Sequence, residues 1–560
     1  MSTLTAARRG AGGGSSRAHG SGQLHRDVGL LGLTFISLGS IIGSGWLLGA
    51  LTAAQTAGPA SLISWVLAGF VLALLALVHA ELGAAYPVSG GTARFPHYAF
   101  GSLAGYTCGW MSWVGSALLA PVEVEAALTY ADGRLSFLPA LTHTSASSAT
   151  PTLTGWGILI ATGLMVVFTA INLFGVKWLA GSNNATVVWK LAIPLLTIIA
   201  LLVVAHHGSN FDAGGKFAPF GAHGVLAALP LGVVFALQGF EQALQIGGEA
   251  RNPQRDLWRA VVLSMLIGTV VYLALEVAFI GSLNPSHLIH GWATPLGHVK
   301  STAPYATIAS ALGLGWLASI LYIDAFISPS GTALVYNGTS SRLGYALGHN
   351  RYVPPAMAAV SSRGVPWIAV IVSFVVGEAA LLPFPSWASL VSVITSASAL
   401  MYAFAPVSLL SLRSQDPDRD RPYRMPAANV LCPLSFISAN LIIYWTGWST
   451  LWKLYVVLGV GAVIFAANYF LSTADRRPDV SNWRSAAWIA PWLAGMAVLS
   501  KLGQFKGGDR MLPFWYDIGV VAVFSLAVFA LAVRLARSPE AARRTIRRDI
   551  GDTDAVLDGG

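Results

Sequence analysis

Lys190 lies in the run "VVWKLAIPLLTIIALL" and Asp324 in "LYIDAFISPSG", two ionisable side chains inside stretches that are otherwise mostly apolar. A charge at the centre of a lipid-spanning helix costs about 2.5–3.5 kcal/mol on insertion scales, so each is a functional candidate by default. A buried amine can give up its proton, which makes Lys190 a candidate proton-coupling site. Asp324 is its candidate partner, and the two are expected to pair across the core. Two plainer readings compete: Lys190 stands about two turns from Asn183 and can snorkel to the membrane edge, and Asp324 with Ser328 can bind sodium instead.

Other charged residues offer weaker signals. Glu123 and Glu125 are two positions apart on a helix, so they cannot face the same way. One is expected to face a cavity, either as a proton relay or as a structural hydrogen bond to a neighbouring helix. His79 and Glu81 are expected to organise the following loop around Arg94. The segment "GGEARNPQRDLWRA" gathers Glu249, Arg251, Arg255 and Asp256, which form either an ion-paired gate or a solvated loop.

The backbone has chemistry of its own where helices are interrupted. "FISLGSIIGSGWLLGA" places Gly39, Gly43 and Gly45 near the middle of a strong apolar helix, each costing about 1 kcal/mol relative to Ala. Scattered glycines can mean close packing alone, but Gly43-Ser44-Gly45 is better read as an unwound hinge whose free N–H groups can hold a carboxylate. "LGVVFALQGFEQALQIGGEARNPQRD" carries Gln238, Gly239, Glu241 and Gln242 at membrane depth, where polar groups must line a cavity or find partners.

The elements that position these residues are membrane helices. Of 560 residues, 55% are apolar and 10% charged, against about 25% charged in an ordinary soluble domain. Apolar runs give fourteen spans, near 28–56, 60–82, 101–130, 153–175, 184–205, 225–249, 257–282, 303–333, 366–383, 388–411, 428–447, 451–472, 485–502 and 514–536. The chain reads as an all-α polytopic membrane protein. With the N-terminus in the cytoplasm, 25 of the 33 Lys and Arg fall inside and 7 outside, which predicts a cell inner membrane location with both termini cytoplasmic. The same bias accounts for the net charge of +9 without nucleic acid, and the basic run Arg534–Arg548 is expected to meet lipid headgroups. Residues 1–27 have no apolar core and read as a flexible tail rather than a signal peptide. The interrupted spans are 1 and 6. Five is an odd interval, so two such units run in opposite directions, and paired breaks of this kind point to a site near the bilayer midplane.

At these residues the sequence resembles the amino acid, polyamine and organocation (APC) superfamily of permeases. The matching pieces are "GSIIGSGW", "AELGAAYPVSGGTARFPHYAFG", "FALQGFEQALQIGGEARNPQRD" and "TSSRLGYALGHN", the last placed after span 8. Together they cover about 28–425, and the wording is similar to bacterial aspartate:proton symporters. The resemblance implies a ten-helix core of two inverted five-helix repeats, 28–205 and 225–411, followed by four peripheral helices over 428–536 and a cytoplasmic tail, 537–560. It further implies that a substrate carboxylate meets Ile42, Gly43, Ser44 and Gly45. The α-amino group would meet carbonyls of both broken helices, with Phe235 closing over the substrate and Ala236, Gln238 and Gly239 completing the site. Finally, it implies that Lys190 takes the place of a sodium ion between spans 1, 5 and 8.

The expected function is thus proton-coupled amino acid symport by alternating access, with an acidic amino acid such as aspartate as one candidate. An amino acid or amine exchanger, a potassium uptake carrier of the same superfamily, and an amino acid-binding receptor are the alternatives. No cofactor is implied beyond a coupling proton or, alternatively, sodium; the partners are a small-molecule substrate and the lipid bilayer, and no oligomeric state is specified. A channel would need a filter-like run. An enzyme would need a clustered catalytic set, whereas His206, His207, His223, His287, His290 and His298 are scattered without metal-ligand spacing. Cys108 and Cys432 form no spaced pair.

Overall fold

Apolar helices dominate the computed structural model, which describes residues 28–554 apart from 89, 133, 135–138, 144–150, 175, 290, 298–301 and 384–385. The tail 1–27 and the side chain of His298 therefore lie outside the described residues, as does His290. Among the described residues, eleven helical stretches are long and apolar enough to cross a bilayer, and shorter apolar helices complete spans 1, 6 and 9. Fourteen crossings result, as the hydropathy pattern predicts. Span 1 is split into Leu30–Ile41 and Ser44–Ala57. Spans 2 to 5 are Ser61–Ala85, Ser102–Ala131, Gly155–Phe174 and Val176–Val204. Span 6 passes from Gly221–Ala228 through a π turn, Leu229–Val233, to Val234–Leu237, breaks, and resumes as Gln242–Gln245. Spans 7 to 10 are Pro253–Ser282, Gly315–His349, Trp367–Leu381 and Trp387–Gln415. Spans 11 to 14 are Ala428–Trp445, Trp448–Leu471, Ile489–Leu502 and Phe514–Leu535.

Side chains such as Leu266 and Val463, 60% and 68% exposed, face outward from this bundle. So many exposed large apolar groups require lipid around them. Spans 3 and 10 are instead buried over nearly their whole length, and span 3 packs along spans 8 and 10.

Span 8 departs from the expected 303–333. A separate short helix, Pro304–Ala311, ends where Gly313 takes a φ of +77° and Leu314 N–H donates back to Ala309 O at 2.8 Å, a glycine-based helix stop. The span then runs from Gly315 to His349, so "TSSRLGYALGHN" lies mostly within span 8 rather than after it. Between spans 2 and 3, Gly91–Phe100 forms a helix, and beyond span 14 the basic tail folds as Pro539–Asp554.

Glu81 corrects another expectation. Its carboxylate does not hold Arg94; it accepts from Arg413 Nε at 2.9 Å, Arg421 Nη1 at 3.3 Å and Met425 N–H at 2.7 Å, tying span 2 to the link between spans 10 and 11. His79 Nδ1 bonds only to Leu75 O, one turn back. Glu81 is fully buried, and Arg413 and Arg421 are 16% and 6% exposed, so removing the acid strands two cations with little water around them. Glu81→Ala is expected to destabilise the fold by about 3–5 kcal/mol, read as a fall in melting temperature in detergent, while Arg94→Ala leaves this network unaffected.

Candidate functional site

Breaking a helix inside a membrane frees carbonyls at one cut end and N–H groups at the other, and each must find a partner. At span 1 the break falls on Ile42 (φ −90°, ψ 86°) and Gly43 (φ −122°, ψ −139°). On the carbonyl side, Gly39 O accepts from Lys190 Nζ at 2.7 Å and from Thr332 Oγ1 at 3.1 Å, and Ile41 O accepts from Tyr272 Oη at 2.8 Å. On the other side, Ser44 N–H donates to Glu123 Oε2 at 2.7 Å. A helix is negative at its C-terminal end and positive at its N-terminal end. Lys190 and Glu123 therefore each sit at the end of opposite sign.

The break in span 6 is held by its own segment and by span 10. Gly239 takes a φ of +117°, and its N–H donates to Glu241 Oε2 at 3.2 Å, the same oxygen that accepts from Tyr402 Oη at 2.7 Å. Ser37 of span 1 donates to Phe240 O at 2.9 Å and accepts from Ala243 N–H at 3.3 Å. The two breaks also touch through glycines. A Cβ on Gly45 would lie 2.7 Å from Ala236 Cα, and one on Gly239 would lie 2.9 Å from Ser40 Cβ.

Between the breaks lies a cavity of about 10 Å³, about the room one water needs. Gly43, Gly45, Phe235 and Gln238 line it, with Ser40, Glu123 and Tyr336. Ile42, Ser44, Ala236 and Gly239 complete the two turns of backbone beside it, so all eight substrate-site residues expected from the sequence lie together. Phe235 meets Trp387 edge-on, with centroids 5.8 Å apart, and Trp387 Nε1 donates to Ser44 Oγ at 2.9 Å. Gln238 Nε2 is buried with no hydrogen-bond partner. This is a closed form of the site: an amino acid enters only if these side chains move.

Lys190 and Asp324, the two residues expected to couple, are not paired. Lys190 Nζ bonds Gly39 O and, at 2.6 Å, Thr332 Oγ1, thereby joining spans 1, 5 and 8. Asp324 Oδ1 instead accepts from Trp189 Nε1 and Ser328 Oγ, both at 2.7 Å, and forms no ion pair with Lys190. Asp324 and Thr332 are eight residues apart on one helix, a rise of about 12 Å, which places the carboxylate too far along span 8 to reach the amine. Room for the lysine comes from Gly331, where a Cβ would lie 2.9 Å from Lys190 Cε.

Of the glutamate pair, Glu123 faces the break and Glu125 is buried elsewhere with both oxygens unpartnered. Thr332, Tyr272, Tyr336 and Trp387 were missed in the sequence. Thr332 had a signal, since Asp324, Ser328 and Thr332 follow at i, i+4 and i+8 along one helix face. The mixed-charge segment after span 6 is paired in part: Glu249 lies 3.7 Å from Arg342 of span 8. Its backbone is also stitched to the start of span 1, with Val28 N–H donating to Glu249 O and Arg251 N–H to Val28 O.

Two helices interrupted side by side, each cut end matched by a buried charged or polar group, define a membrane carrier rather than a catalyst or a pore. The amino acid permease family profile matches residues 28–445, and the chain belongs to that family. It is 37% identical to the glutamate/serine transporter AimA of Bacillus subtilis (strain 168), over 91% of this chain and 94% of that protein. It is 35% identical to the aspartate-proton symporter of the same strain, over 91% and 96%. A branched-chain amino acid permease, BcaP, is 28% identical over 80% and 93%.

Gly43 offers a direct check on the site. A Cβ there would lie 2.6 Å from Glu123 Oε1 and 2.9 Å from Thr332 Oγ1. Gly43→Ala is expected to shift the break by up to about 1 Å and reduce amino acid uptake on the order of a hundredfold, with expression and melting temperature little changed. Uptake at the wild-type rate would show that the break tolerates a side chain and is not the binding element.

Proposed function

We propose that this permease is a proton-coupled symporter of small amino acids with acidic or polar side chains, working by alternating access in the cell membrane with both termini in the cytoplasm. The observation that carries the proposal is the Lys190 ammonium on the Gly39 carbonyl at the cut end of span 1. There a proton bound or released changes how firmly spans 1, 5 and 8 hold together. The relatives named for glutamate, serine and aspartate support the substrate class, and the 25 to 7 distribution of basic residues supports the orientation.

Glu123 supplies the link to substrate. It already occupies the Ser44 N–H that an incoming α-carboxylate would use. Two carboxylates cannot share one N–H without strong repulsion, so binding requires Glu123 to move away or to take up a proton. The Gln238 amide, unpartnered beside the cavity, is a ready donor to a polar or acidic side chain. Phe235 and Trp387 then close over the solute. The coupling ion is the proton, in keeping with the family resemblance, which implies that Lys190 takes the place of a sodium ion between spans 1, 5 and 8.

Proteoliposomes with an imposed pH gradient and labelled glutamate, aspartate and serine test this reading. Wild type is expected to concentrate at least one of the three when the outside is acid, and a protonophore should abolish the accumulation. Lys190→Ala is expected to reduce gradient-driven accumulation to background, whereas retained accumulation would remove Lys190 from the coupling step. Glu123→Gln is expected to keep counterflow of the same amino acid but lose most of its pH dependence, since the amide cannot take up a proton.

A further inference from the structure

A cavity far larger than the one between the broken helices lies elsewhere in the molecule. It has a volume of about 660 Å³, lies on the face that carries the C-terminal helix, and is lined by Arg94, Arg351, Arg477, Arg537, Arg544 and Arg548. Its volume is within the range of about 300–1,000 Å³ typical of small-molecule sites. Four separate segments build it: the helix between spans 2 and 3, the end of span 8, the link after span 12, and the helix Pro539–Asp554. The last two lie beyond residue 445, where the family match ends.

Charge selects the class of ligand. Against six arginines the wall offers two carboxylates, Asp479 and Asp549, and Asp549 is already engaged by Arg94 at 2.8 Å. Among the described residues the arginines of the wall outnumber its carboxylates six to two, more positive charge than one carboxylate balances. The field is strong enough to be felt by a neighbour: burial first, then Arg94, Arg537 and Arg548, push the His97 imidazole down to about 3, against the pull of Asp479. The Nε atoms of Arg94 and Arg537 are buried without a hydrogen-bond partner. Arginine forks match the oxygens of phosphate in pairs. The pocket is also fixed in place: Gln415 Nε2 donates to Arg537 O at 2.8 Å and Arg537 N–H to Ala99 O at 3.0 Å.

We infer that this arginine-lined pocket binds a phosphate-bearing anion of three or more negative charges from the cytoplasmic side, bridging the C-terminal helix to the ends of spans 2 and 8. The side of the membrane rests on the proposed orientation; the binding itself does not. Such an anion is either a free polyphosphate or the headgroup of an acidic lipid, and Arg537, Arg544 and Arg548 of the basic tail line the pocket that would hold it.

The test uses the full chain in nanodiscs of phosphatidylcholine, which leave both faces accessible, so its outcome is independent of any transport assay. Inorganic triphosphate is titrated by calorimetry into wild type, into Arg477→Ala/Arg544→Ala, and into Arg534→Ala/Arg547→Ala, which removes equal charge outside the pocket. The expected result is saturable binding by wild type and by the second variant, with at least about a tenfold weaker Kd in the first. Retention of cardiolipin by wild type but not by the pocket variant, without triphosphate binding, would assign the same site to lipid. Binding of neither, or equal loss in both variants, would overturn the proposal. Arg477 and Arg544 are exposed, so their loss leaves the fold intact.

Discussion

A peptide chain that stops being helical in the middle of a membrane has no water to fall back on. In this permease the debt is met by side chains whose charges match the ends they serve. The carbonyl end of span 1 meets an ammonium and two hydroxyls, and the N–H end meets a carboxylate. Span 6 meets its own Glu241 and the hydroxyl of Tyr402. Neither break is stable alone, because every one of these groups except Glu241 comes from another helix. The spans around the site are thus held by the same bonds that hold the site open to change.

Glycine sets the distance between the two breaks. Gly45 against Ala236 and Gly239 against Ser40 leave no room for a Cβ, so backbone meets backbone. That closeness makes the cavity small, and it lets polar groups from both breaks reach one solute. A second buried network lies elsewhere: Glu81 with Arg413 and Arg421 joins span 2 to the link between spans 10 and 11.

Much of this was legible in the sequence. Glycines and glutamines at lipid depth are costly, and the cost marked both breaks, whereas Ile42, Phe235 and Ala236 were implied only by the resemblance to the permease superfamily. Lys190 was legible through the same cost. Its partner was not, because a backbone carbonyl such as Gly39 O leaves no trace in residue type, and an acid such as Asp324 draws attention that a threonine does not. Glu81 was assigned to Arg94, its neighbour in sequence, yet it meets Arg413, 332 positions away, and no periodicity reaches that far. The start of span 8 was misplaced because Pro304–Ala311 is as apolar as the span itself, and only the left-handed turn at Gly313 separates them.

The contact between Gly331 and Lys190 has a consequence for how such carriers diverge. One volume is shared by two positions: a side chain at 331 crowds the end of Lys190 and Thr186, and a shorter residue at 190 leaves a hollow beside a bare glycine. Neither change is neutral by itself. Positions 190 and 331 are therefore expected to change together as such carriers diverge, since altering one alone leaves a crowded or a hollow spot between spans 5 and 8.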